Sequence, residues 1–326
     1  MKFREFSDVG WKVSEVGLGC WAIGSEWGDV SKEDATEVLK SSLDHGINFF
    51  DTADVYGDGR SERFVGELLK STNEKIYVAT KSGRRLNPHT SNGYNLNNIE
   101  SFIDRSLINL GVDCIDLLQL HCPPSDVCSK KETYEMMDEI VKKGKISYYG
   151  VSVEKVSEAM DAIHFSNVKS IQIIFNMFRQ KPAEEFFQEA AKKNVAIIAR
   201  VPLASGLLTG KMTESSSFPA NDHRNYNIKG EAFDVGETFS GVNFDKGLQA
   251  VEEIKKLIPN NFSLTDLALK WILMHQEITV AIPGAKSNYQ SSKNVNAVDL
   301  DDISSLMPLI KDIYSQYLKK DIHHRW

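Results

Sequence analysis

The sequence predicts an α/β protein built as one closed (β/α)8 TIM barrel. It reads as a single domain over residues 1–326, with a long loop after the seventh strand and a helical tail. Short strand-like runs and longer helix-like runs alternate eight times, the pattern of a parallel sheet wound with helices. The strand-like runs carry Ile, Val and Phe at successive positions, as strands buried on both faces do. Most links are short, which favours a barrel over a doubly wound sheet.

The units follow in order. Residues 16–19 lead to a helical pattern at 31–45, with Ser31 as its N-cap and acids in the first turn. Residues 48–53 precede a helix at 61–70, and 76–81 precede one at 96–110. Strand 115–121 is followed by helix 131–143, strand 147–152 by 155–163, and strand 170–176 by 183–193. Gly46, Gly111 and Gly144 stand where helix C-termini need a cap. Strand 195–202 opens a Gly-, Ser-, Thr- and Asn-rich connection to about 242, too long for a default barrel loop and therefore read as functional. Helices at 244–257 and 264–274 come next, then strand 278–284 and helix 288–298. The tail, 299–326, carries Leu306, Ile310, Ile313 and Leu318 and is expected to pack across the barrel bottom or side.

Composition narrows the function. The chain is 41% hydrophobic and 25% charged, with a net charge of −7. That balance argues against general nucleic-acid binding, which rests on neutralising phosphates, and leaves room for a local basic pocket. No run approaches the roughly 18 apolar residues of a membrane helix, and the start lacks an apolar signal core. A cytoplasmic protein without membrane partners is expected. The four cysteines form no C-x-x-C pair, and no metal site is expected.

The strand ends carry the chemistry. Asp51 closes the second strand, with Tyr56 on its exit loop; Lys81 closes the third and His121 the fourth. Neighbouring strands lie about 4.8 Å apart, so at one rim of a barrel the four side chains meet. A nearby ammonium lowers a phenol's pKa, so Lys81 is expected to pull Tyr56 down, with Asp51 holding Lys81. His121 is placed to hydrogen-bond a carbonyl oxygen. An acid and an oxyanion stabiliser without a nucleophile suit attack by hydride on a carbonyl, which implies a nicotinamide cofactor.

Residues 46–53, with Tyr56-Gly57 and Ser61-Glu62, resemble the signature of the aldo-keto reductases. Residues 107–123 resemble that family's second motif, and Ile282-Pro283-Gly284-Ala285-Lys286 its third. The resemblance implies carbonyl reduction with NADP(H) bound in extended form and a tetrad of Asp51, Tyr56, Lys81 and His121. It implies that Gly19, Cys20 and Trp21 line the nicotinamide pocket, and that Ser152 and Gln172 hold the carboxamide. Val153 stands where the family usually has Asn. Residues 200–211 resemble the pyrophosphate belt, with Arg200, Val201, Pro202, Leu203, Ser205, Gly206, Leu207 and Lys211 as cofactor contacts. Arg200 replaces an aromatic residue that stacks on nicotinamide in many members. Gly284, Lys286, Gln290 and Asn294 map to the adenosine end, where Lys286, with Arg224 as a weaker candidate, suits a 2′-phosphate. The G-x-G-x-x-A pattern at Gly17, Gly19 and Ala22 is not read as a Rossmann site, because Gly24 and Gly28 interrupt the helix it needs.

The substrate is a small carbonyl compound of unread identity. Trp21, Trp27, Val55, Tyr94 and the loop near 218–239 are candidate apolar walls, and the oligomeric state stays open. Two alternatives stand beside this reading: a cofactor-binding regulator resembling potassium-channel β-subunits, and an aldolase with Lys81 as Schiff base.

Overall fold

A computed structural model describes residues 1–24, 27, 28 and 30–326. Ten strands are found among them: β1 (Phe3–Phe6), β2 (Trp11–Ser14), β3 (Leu18–Gly19), β4 (Phe49–Asp51), β5 (Tyr77–Ser82), β6 (Ile115–His121), β7 (Ile146–Ser152), β8 (Val168–Ile174), β9 (Ala196–Arg200) and β10 (Ile278–Ala281). Strands β3 to β10 pair in parallel in chain order. Parallel bridges Val16–Ala281 and Gly19–Gly284 join the two ends, so the sheet closes into the expected (β/α)8 barrel.

The helices fall where their caps dictate. Ser31 Oγ accepts from Asp34 N ahead of Lys32–Asp44, and Asn95 caps Leu96–Leu110 in the same way. Ser263 and Asp266 form a reciprocal capping box on Leu264–Leu273. Gly46, Gly111 and Gly144 take φ of 83°, 66° and 75°, the left-handed geometry that ends a helix.

Along each strand alternate side chains face the lumen. Phe49, Tyr77, Ala79, Leu117, Ile198 and Val280 form an apolar lower layer. One step further along the same faces stand Asp51, Lys81, Gln119, His121 and Gln172, all buried. The period of two thus puts grease at the bottom and ionisable groups at the top, where the strands end.

Two features lie outside the eight-unit repeat. The β1–β2 hairpin plugs the barrel bottom, with Phe6, Val13 and Trp11 packed on the lower layer, so the tail does not cover it. Of the two expected places the tail takes the side: Met307–Tyr317 packs against Phe244–Lys255, and Trp326 reaches the loop that holds Asp234. The long connection after β9 folds as short turns, Ala204–Thr209, His223–Tyr226, Val235–Glu237 and Phe239–Gly241. An antiparallel bridge between Trp27 and Asp222 ties it to the loop after β3.

Candidate active site

The upper layer converges on Asp51. Its Oδ1 is paired with Lys81 Nζ, and its Oδ2 accepts from Gln119 Nε2 at 3.0 Å and Gln172 Nε2 at 2.7 Å. Lys81 is buried and donates also to the Thr52 carbonyl at 2.9 Å and to Tyr56 OH at 3.3 Å. Tyr56 presents the edge of its ring to His121, the centroids 6.0 Å apart at 86°. The carboxylate, ammonium, phenol and imidazole are therefore one connected cluster.

The electrostatics correct one expectation. Burial, then the charges of Asp51 and Glu237, hold the Tyr56 phenol well above its usual value. Lys81 does not bring it down on balance, because its charge is spent on the Asp51 carboxylate beside it. Tyr56 is thus a protonated phenol at neutral pH, the state a proton donor needs. Burial, then Arg84 and Lys81, push His121 well below 6.5. Its neutral ring has a buried Nδ1 without a hydrogen-bond partner.

Beside this cluster lies an ion quartet that the sequence reading missed. Arg84 Nη2 meets Glu237 Oε1 at 2.6 Å and Glu154 Oε1 at 3.4 Å. Arg200 Nη2 meets Glu154 Oε2 at 2.8 Å, and its Nη1 meets Glu237 Oε1 at 3.5 Å. Against the cost of burial, Arg84 and Arg200 hold Glu237 well below the carboxylate range. Burial pushes Glu154 up to about 7. Arg200, expected at the nicotinamide or a phosphate, lines the cleft and is also gripped by two carboxylates and the Val153 carbonyl.

A cleft of about 640 Å³ runs from this cluster across the barrel mouth. Of the expected residues, Tyr56, Asp51, His121, Gly19, Trp21, Ser152, Gln172, Arg200, Val201, Pro202, Leu203, Ser205, Gly206, Lys211, Gly284, Lys286, Gln290 and Asn294 line it. Lys81 sits behind Tyr56 and Asp51. Cys20 and Leu207 do not line the cleft: both are packed in the hydrophobic core, since their side chains point away from the backbone that forms the wall. Val55 and Tyr94 are also outside the lining; the Tyr94 hydroxyl bonds His89 Nε2 at 2.8 Å. Trp21 stacks along Tyr56 at 6.0 Å and packs on His223 at 4.6 Å, so the long connection closes one side of the site.

At the other end of the cleft cations gather. Lys286 Nζ donates to the Trp27 carbonyl, and burial, then Arg224, lower its pKa. Arg224 pairs with Asp222 at 2.7 Å and lies between the rings of Trp27 and Phe218, 4.7 and 4.3 Å from their centroids. Lys211 and Lys293 line the same region. Between the two ends, Val201, Ala204, Ser205 and Gly206 hold φ of 52°, 46°, 53° and 98°. Such left-handed runs form concave nests of backbone N–H groups that suit anions. Ser263, Thr265 and Asp266 complete the wall. Their capping-box spacing was visible in the sequence, but not that the box faces the cleft. The volume, the nest and the crowded cations fit an extended dinucleotide carrying phosphates.

The family model described as "Aldo/keto reductase family" matches residues 15–310. Aldo-keto reductase YhdN of Bacillus subtilis is 32% identical over 94% of each chain. The aldo-keto reductase yakc of Schizosaccharomyces pombe, whose name specifies NADP(+), is 30% identical, covering 88% of this chain and 84% of its own. Among solved structures, the glycerol dehydrogenase AKR11B4 from Gluconobacter oxydans superposes with a TM-score of 0.80 at 28% identity, covering 97% of this chain and 96% of that one.

Proposed function

The chain belongs to the Aldo/keto reductase family, and we propose that within it this protein is an NADPH-dependent reductase of aldehyde and ketone carbonyls, with Tyr56 as the proton donor. The carrying observation is the joined cluster of Asp51, Lys81, Tyr56 and His121 at one end of a cleft whose other end is cationic. When bound, the nicotinamide supplies hydride to the carbonyl carbon. The residues of the chain do the rest.

His121, kept neutral by burial, hydrogen-bonds the carbonyl oxygen and orients it toward the phenol. Negative charge then grows on that oxygen, and Tyr56 delivers its proton there. Lys81, 3.3 Å from the phenol oxygen, steadies the phenolate left behind. Asp51 fixes Lys81 and is itself fixed by Gln119 and Gln172. Trp21 and the long connection screen the site from water. Burial and the neighbouring Arg224 both work against the charge on Lys286, and an anion held between the two cations relieves that repulsion, which supports a 2′-phosphate and hence NADPH.

The test is NADPH consumption across carbonyl classes. Dihydroxyacetone belongs in that panel because the Gluconobacter relative is named for glycerol. Tyr56→Phe should bind NADPH as the wild type does and lose turnover by on the order of 100- to 10,000-fold. Wild-type kcat in that variant sinks the proposal. Tight NADPH binding with no turnover on any carbonyl, in the wild type, would instead support the cofactor-binding regulator.

A further inference from the structure

Trp326 braces the ion quartet beside Tyr56 and His121 from outside the cleft. Trp326 is buried, 6% exposed. The guanidinium of Arg179 lies 3.9 Å from the centroid of its ring, and its Nε1 donates to Asp234 Oδ1 at 3.1 Å. The slot is cut for an indole. A Cβ at Gly236 would stand 3.0 Å from a ring carbon of Trp326, and one at Gly241, where φ is 75°, would collide with the ring.

Arg179 and Asp234 both lead inward from Trp326. Arg179 Nη2 donates to the backbone carbonyl of Glu154, whose carboxylate receives Arg200 and Arg84. Asp234 Oδ1 also accepts from Gly236 N at 2.7 Å and so caps the turn Val235–Glu237. That turn delivers the Glu237 carboxylate to Arg84 and Arg200. Glu237 lines the cleft, and its charge acts on both Tyr56 and His121.

We infer that Trp326 is a positioning residue for the proton-donating site: through Arg179 and Asp234 it fixes Glu154 and Glu237 against Arg84 and Arg200, and thereby sets the field at Tyr56. The charged groups acting on that phenol are Asp51 and Glu237, which hold its proton on, and Arg84 and Arg200, which loosen it; Lys81, 3.3 Å from its oxygen, is paired with Asp51, and the His121 ring that faces it is neutral, so neither changes when the turn 235–237 is released. Release of the turn 235–237 removes Glu237 from this balance and leaves the two guanidiniums less opposed. The phenol then ionises at lower pH, and a proton donor is lost earlier on the alkaline side. The kinetic part rests on the reading of Tyr56 as acid; the clamp itself does not.

The experiment compares wild type, Trp326→Ala and Trp326→Phe by hydrogen–deuterium exchange over residues 234–241, NADPH affinity, kcat, KM and the pH profile of kcat. Trp326→Ala should exchange faster over 234–241 and keep NADPH affinity within about twofold. Its kcat should fall on the order of tenfold, as small misplacements of catalytic groups do, and its alkaline limb should move toward neutral pH. Trp326→Phe keeps a ring under Arg179 without the donor to Asp234 and should fall between the two. Unchanged exchange, or faster exchange with wild-type kcat and alkaline limb, overturns the inference. So does a loss of NADPH affinity equal to the loss of kcat. If Trp326→Ala does not fold, the same criteria applied to Trp326→Phe decide. Absence of turnover in the wild type would count against the carbonyl-reductase proposal, and the exchange measurement would still judge the clamp.

Discussion

Lys286 shows what a single side chain reveals about the cofactor. It is half-buried and bonded to the Trp27 carbonyl, beside Arg224. Two cations held together out of water repel, and an anion between them relieves both. Asp222 pairs with Arg224 and offsets only part of the repulsion at Lys286, whose pKa stays lowered. Lys286→Ala should therefore raise the Kd of NADPH by roughly tenfold, as for loss of one charge-assisted contact, and leave NADH within about twofold. Fluorescence titration of both nucleotides checks this; equal losses would remove Lys286 from a 2′-phosphate site. The cluster around Asp51 was legible because strand-end positions of a barrel share one rim, so Asp51, Lys81 and His121 could be read straight from the ends of three runs. The quartet was not. Arg84 and Glu154 lie just past strand ends without a motif, and Glu237 lies in a connection whose path the sequence does not dictate. Cys20 and Leu207 sit in segments whose neighbours line the cleft, but which way a side chain turns from an irregular backbone is a matter of packing, not pattern.

The regular elements were read to within a few residues wherever a cap or a period spoke. Leu96–Leu110 has the expected bounds and ends at Gly111 as expected, and Ile115–His121 has the bounds expected of it. The β1–β2 hairpin was missed because each strand has four residues, too few to display alternation before the turn at Ser7 to Gly10. The tail's apolar spacing was visible, whereas the surface it packs on was not. Helix Leu264–Leu273 illustrates how an element's end stores a pH response. His275 follows it, packed on Trp271 and Phe175 at 4.9 Å each. Its Nε2 is buried without a partner, and burial lowers its pKa from 6.5 to about 4. A folded-state value below the unfolded one contributes stability above pH 6.5, and that contribution is lost as pH falls through 4. His275→Phe keeps the aromatic packing without the proton. The difference in Tm between variant and wild type should therefore shift in the variant's favour by a few degrees between pH 7.5 and pH 4.5. A constant difference across that range would mean that His275 protonates without penalty in the folded protein.

The barrel separates what holds it together from what it does, by layering the lumen. Phe6 is fully buried and stacks on Phe49 at 5.7 Å and near Trp11 at 5.5 Å. Asp51 stands two residues beyond Phe49 on the same face, about 7 Å further along the strand. The question is whether damage below reaches the acid above. Asp51 is held by side chains from three other strands, Lys81 from β5, Gln119 from β6 and Gln172 from β8, and none of those bonds passes through the hairpin. Phe6→Ala opens a cavity in the lower layer and should cost about 3–5 kcal/mol. At a temperature well below the lowered Tm, kcat and NADPH affinity should stay within about twofold of wild type. Denaturant unfolding paired with steady-state kinetics tests both halves together. If kcat falls in step with stability, the upper layer is not independently braced, and the three side-chain bonds to Asp51 are insufficient to hold the tetrad without the plug beneath it.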